Sequence, residues 1–75
     1  MNINQLQKKI GDRIRILRES KGITQQNLAA ICNFEKANLS RLEAGRTNPT
    51  ISTLYKISQA LEISIAELVD VETAN

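Results

Sequence analysis

Apolar residues recur along this chain at helical rather than strand spacing. Ile3, Leu6, Ile10, Ile14 and Leu17 stand 3, 4, 4 and 3 residues apart, one stripe of an amphipathic helix. The spacing predicts a helix over 4–21, capped by Asn2 or Asn4 and stopped at Gly22, with Arg18 and Lys21 suiting the negative end of its dipole. Gly11 lies inside that helix, at a cost of up to about 1 kcal/mol against alanine. A close helix contact would explain the choice. Thr24 caps a second helix whose inward residues are Leu28, Ile31 and Cys32. Asn33 closes it, because asparagine tolerates the left-handed conformation. A third helix over 35–44 turns Leu39 and Leu42 inward and ends at Gly45. The loop R-T-N-P-T follows. Thr50 or Ser52 then starts a fourth helix burying Ile51, Leu54, Ile57 and Leu61. Ser64 and Glu67 are spaced as a capping box for a fifth, with Ile65, Leu68 and Val69 as its apolar side. The tail V-E-T-A-N is expected to fray, with 70–75 as its widest extent. Five short helices with no strand, linker or repeat define an all-α fold in a single domain over 1–75.

Composition narrows the function. A chain of 75 residues forms one small domain and buries only about 60% of its unfolded surface, so a deep catalytic cavity is not expected. With 41% hydrophobic and 24% charged residues it reads as folded, not disordered. Phe34 and Tyr55 are the only aromatics, too few for a platform that stacks single-stranded bases. The net charge of +2 hides an asymmetry: residues 1–50 hold nine Lys/Arg against four Asp/Glu, and residues 51–75 hold one against four. Either the first half faces a polyanion, or a solvated surface is unevenly charged by chance. There is no histidine, and no carboxylate cluster, glycine-rich phosphate loop or metal-ligand spacing is visible. No enzymatic activity, catalytic residue, metal, cofactor or small-molecule ligand is therefore expected. Cys32, the only cysteine, reads as small core filler in a reducing compartment. Without a signal-like start or a membrane-length apolar run, a soluble cytoplasmic protein is expected.

The segment from Thr24 to Gly45 carries the candidate chemistry. Two short helices joined by a tight turn, the second with a polar side, have the layout of a helix-turn-helix, whose second helix enters the DNA major groove. With Leu39 inward and about 100° per residue, Ala37 and Arg41 point most directly away, flanked by Lys36, Asn38 and Ser40. Arg41 can grip guanine through O6 and N7; Lys36 can read guanine or meet phosphate. Ala37 suits a thymine methyl, and Asn38 suits adenine or phosphate. Arg46, Thr47 and Asn48 follow that helix and should meet the DNA backbone. Gln25 sits at the first turn of the second helix, where free N–H groups and the helix dipole favour an anion. Arg13 and Arg15 are weaker candidates or ordinary surface charges.

The strings R-x-L-R-x-x-K-G-I-T-Q-x-x-L-A and L-S-R-L-E-A-G-R-x-N-P-T resemble the lambda-repressor-like helix-turn-helix family of phage repressors and xenobiotic-response-element-type bacterial regulators. The resemblance covers about 11–69. It implies a five-helix bundle that binds double-stranded operator DNA, usually as a dimer, with Gln25 donating to a phosphate. It also implies that Arg18 pairs with Glu43 as a clamp between the first and third helices. Two positions depart from the family pattern: Asn33 replaces a frequent glycine, and Glu35 replaces a frequent Ser or Thr. Glu35 would lie near the DNA backbone, where its carboxylate repels phosphate or rejects certain bases. Ile65, Val69 and Val71 either finish the core or leave an apolar patch suited to a two-fold dimer contact. The expected protein is a small transcriptional regulator, a homodimeric repressor. The alternative is an antitoxin or adaptor that binds a partner protein through the fourth and fifth helices.

Overall fold

The computed structural model describes residues 1–71, and its first helix opens on a reciprocal cap. Asn2 Oδ1 accepts from the Gln5 N–H at 2.8 Å, while Gln5 Oε1 accepts from the Asn2 N–H at 2.9 Å. The helix α1 therefore spans Ile3–Ser20, one residue earlier at each end than the apolar spacing predicts, and Asn4 lies inside it. Asn4 also has a glutamine three residues on, Gln7, but the box that forms is that of Asn2 with Gln5. The other starts follow the same hydroxyl chemistry. Thr24 caps α2 (Gln25–Cys32), Thr50 caps α4 (Ile51–Ala60) and Ser64 caps α5 (Ile65–Leu68), each accepting from the N–H three residues on. Ser64 forms only that half of the box expected with Glu67. Between them, α3 runs over Lys36–Glu43, and Glu35 is its N-cap without a side-chain bond. Asn33 sits at φ 60, so the α2–α3 turn is left-handed as its side chain suggested.

Helix α1 packs on α3 and α5, α2 on α3 and α4, and α4 on α5. Ile14, Leu28, Leu39, Ile57, Leu61 and Leu68 meet at the centre with essentially no exposure. Three residues expected on inward faces are exposed: Ile3 by 55%, at the very start of α1, Ile31 by 61% and Ile51 by 78%. The buried face of α2 is centred on Leu28, Cys32 and Ala29, which leaves Ile31 beyond its edge. Ile51 opens α4, before the turn at which that helix meets its neighbours. Cys32 is buried, its Sγ 3.7 Å from the Lys56 carbonyl oxygen, and desolvation pushes its thiol pKa up. Among the described residues no strand is present. Of the tail, Val71 donates to the Val69 carbonyl at 2.8 Å; residues 72–75 lie outside the described residues.

Gly11 is where α1 crosses α3. A Cβ there would stand 2.7 Å from the Glu43 carbonyl oxygen and closer still to that of Leu42. Both are backbone atoms and cannot rotate aside. Gly11→Ala is expected to lose about 1–3 kcal/mol to overpacking, more than the roughly 1 kcal/mol gained in helix propensity. Urea denaturation checks the sign: a stabilised variant would show that α1 and α3 do not touch here.

Arg13 supplies a contact that sequence reading missed. Its Nε and Nη2 donate to the Glu67 carbonyl oxygen at 3.1 and 2.9 Å. The side chain is thus neither a free surface charge nor turned to a ligand; it ties α5 to α1. Arg15 pairs with Glu19 at 3.3 Å and Asp12 at 3.8 Å along α1.

Candidate nucleic-acid interface

The two sides of α3 separate cleanly. Leu39, Leu42 and Glu43 are buried, while Lys36, Ala37, Asn38, Ser40 and Arg41 are exposed on one continuous surface. Arg41 Nη2 donates to Asn38 Oδ1 one turn away, so these two side chains meet. Beyond α3, Arg46 and Asn48 are exposed and Thr47 is half-buried; Asn38, Thr47 and Asn48 border the same cleft beside Leu42 and Pro49. Glu35 is exposed at the start of α3, its carboxylate near the positive end of the helix dipole.

Under this surface lies a buried polar cluster. Arg18 Nε donates to Glu43 Oε2 at 2.7 Å and Arg18 Nη2 to Oε1 at 2.9 Å, the two-bond fork that a guanidinium makes with a carboxylate. Arg18 Nη1 donates to the Ile23 carbonyl at 2.7 Å. Only 7% of Arg18 and 4% of Glu43 is exposed. The hydrogen bond to Glu43 outweighs desolvation and holds the Arg18 pKa above its ordinary value, so the guanidinium stays charged. No buried side-chain nitrogen or oxygen among the described residues lacks a partner.

Gln25 belongs to this cluster as well. Its Nε2 donates to Glu43 Oε1 at 2.9 Å, and the residue is half-buried. One amide N–H is thus committed inward and one remains for a ligand. The available signal was stoichiometric: a carboxylate accepts more than the two bonds of an arginine fork, so Glu43 had capacity for a third donor. The cluster joins the end of α1, the start of α2 and the end of α3, which fixes the angle at which α3 is presented. The apolar residues of the chain's end are less available. Val69 packs against the core, and Ile65 and Val71 are half-buried.

A left-handed turn between two short helices, with the second presenting a polar face over a locked base, defines a helix-turn-helix nucleic-acid-binding domain. The helix-turn-helix family model matches residues 14–68, and the chain belongs to the lambda-repressor-like helix-turn-helix family of transcriptional regulators. It is 45% identical over 64 residues to an uncharacterized HTH-type transcriptional regulator, y4dJ, of Sinorhizobium fredii, covering 85% of this chain and 83% of that one. It is 36% identical over 64 residues to the immunity repressor protein of Bacillus phage phi105, covering 85% of this chain but only 44% of the repressor. The crystal structure of SinR, a master regulator for biofilm formation, in complex with DNA superposes with a TM-score of 0.76 at 39% identity, over 81% of this chain and 98% of that one. Among the described residues no helix is long and apolar enough to cross a membrane, and no group of His, Cys, Asp and Glu is placed to hold a metal ion.

Proposed function

We propose that this chain is a cytoplasmic, non-enzymatic transcriptional repressor that binds an operator in double-stranded DNA as a homodimer. The observation that carries the reading is the exposed face of α3 held over the Arg18–Gln25–Glu43 cluster. Each protomer lays α3 in the major groove. Lys36, Ala37, Asn38, Ser40 and Arg41 face base edges, and Gln25, Arg46, Thr47 and Asn48 take the backbone. Glu35 sits against the backbone and opposes phosphate, which lowers affinity. Ile65, Val69 and Val71 keep part of their surface uncovered and form the two-fold contact. Likeness to a phage immunity repressor supports repression. Occupying a promoter is sufficient for it, since nothing in the site calls for chemistry on the DNA.

Selection of bound fragments from the source genome at physiological salt tests this. The expected product is an inverted repeat with half-site centres about 34–36 Å apart along the duplex. Recovery of nothing above background, with a stoichiometric protein co-purifying, would overturn it in favour of a partner-binding module.

A further inference from the structure

We infer that Asn38 and Arg41 read DNA as one coupled unit, in which Asn38 is a positioning residue for Arg41. The inference rests on the DNA-binding reading and specifies which bases that face accepts. Both side chains are exposed, and the bond joins them in the chain without DNA. On α3 they lie three residues apart, about 60° around the axis. The bond draws the guanidinium off the centre of the face toward Asn38, on the side bordered by Thr47 and Asn48.

The consequence is a matter of donors and acceptors. An asparagine recognises adenine with two groups, its carbonyl taking the N6 amino hydrogen and its amide nitrogen donating to N7. Here Asn38 Oδ1 already accepts from Arg41 Nη2. One lone pair of Oδ1 and the rotation of the amide are thereby committed to Arg41, so the two-group fit to adenine competes with that bond, while the amide N–H stays free for a single groove acceptor. Arg41 spends one of its five N–H donors on this bond and keeps enough for the guanine fork. The pair therefore selects guanine under Arg41, with Asn38 adding a single, less selective contact beside it. Fixing a flexible arginine before it meets DNA also strengthens its grip, because less side-chain freedom is lost on binding, and a fixed direction favours the base whose O6 and N7 lie along it.

The test is a randomised-operator selection with the intact chain and the variants Asn38→Ala, Asn38→Asp and Arg41→Ala. Each affects exposed side chains only, and circular dichroism confirms the fold. Asn38→Ala is expected to lower the preference for guanine under Arg41 by about tenfold, although Asn38 itself does not touch that base. Asn38→Asp keeps the acceptor that holds Arg41 and should retain that guanine preference, even as its charge weakens binding to every sequence. Arg41→Ala releases the amide for the two-group fit and should raise the preference for adenine beneath Asn38. Independent effects, with the guanine preference untouched by Asn38→Ala, would overturn the coupling while leaving DNA reading intact. A wild-type chain that selects no sequence at all would overturn both.

Discussion

Replacing Glu43 by alanine is expected to cost the fold about 3–5 kcal/mol. The reason is what remains behind. Arg18 would stay buried and charged, keeping only the Ile23 carbonyl as a strong acceptor, and Gln25 would lose the partner of its amide. A domain of this size has roughly 4–11 kcal/mol in total, so the variant should be near its unfolding midpoint in mild denaturant. Removing both charges is a different experiment. Arg18→Met with Glu43→Met eliminates the stranded cation and replaces the pair with apolar volume, and should recover much of the loss. Urea titration of the single and double variants measures the difference. If Glu43→Ala costs under about 1 kcal/mol, the pair is solvated in solution and the cluster does not lock the two helices.

What could be read from the residues alone divides by range. Asn33, Gly22 and Gly45 announced their left-handed backbones because few residues tolerate positive φ, and all three adopt it. Thr24 and Ser64 announced helix starts because a short hydroxyl satisfies a nearby N–H. Those are local statements, settled within four residues. Asn2 against Asn4 was equally local but undecided, because Gln5 and Gln7 offer each the same reciprocal partner. Ile31 and Ile51 failed for another reason. Periodicity finds the side of a helix that faces inward, but it does not show how wide a sector the neighbouring helices cover. The bond of Arg13 to the Glu67 carbonyl joins residues 54 apart, and the bond of Gln25 to Glu43 joins residues 18 apart. No spacing rule reaches across a turn to a third helix. The Arg18–Glu43 pairing was reached through family resemblance, and the polar face of α3 through helical geometry. The bond that joins Asn38 to Arg41 across one turn was legible as a spacing, although nothing in the spacing chose Arg41 over water as the partner.

Operator affinity should fall about 10³-fold between 50 and 200 mM monovalent salt. The size follows from which cations are free to meet DNA. Nine Lys and Arg fall within residues 1–50, but several are occupied elsewhere. Arg18 is buried on Glu43, Arg13 holds the Glu67 carbonyl, and Arg15 is paired with Glu19. Lys36, Arg41 and Arg46 are the exposed cations on the α3 side. Gln25, Thr47 and Asn48 are neutral donors, which bind phosphate without adding a cation to displace counterions. With a cation in the groove displacing counterions as one on a phosphate does, three cations from each of two protomers give a slope of about −5 in log K against log salt, and one protomer alone gives about −3. Fluorescence anisotropy on a selected operator at four salt concentrations separates these cases. A slope near −5 supports two protomers on the duplex. A slope near −3 would remove the dimer and retain the groove-binding face, and Arg46→Ala should then lower it by about 1. A flat response would mean that the exposed cations of α3 do not meet phosphate or base, and the DNA-binding reading would fall with it.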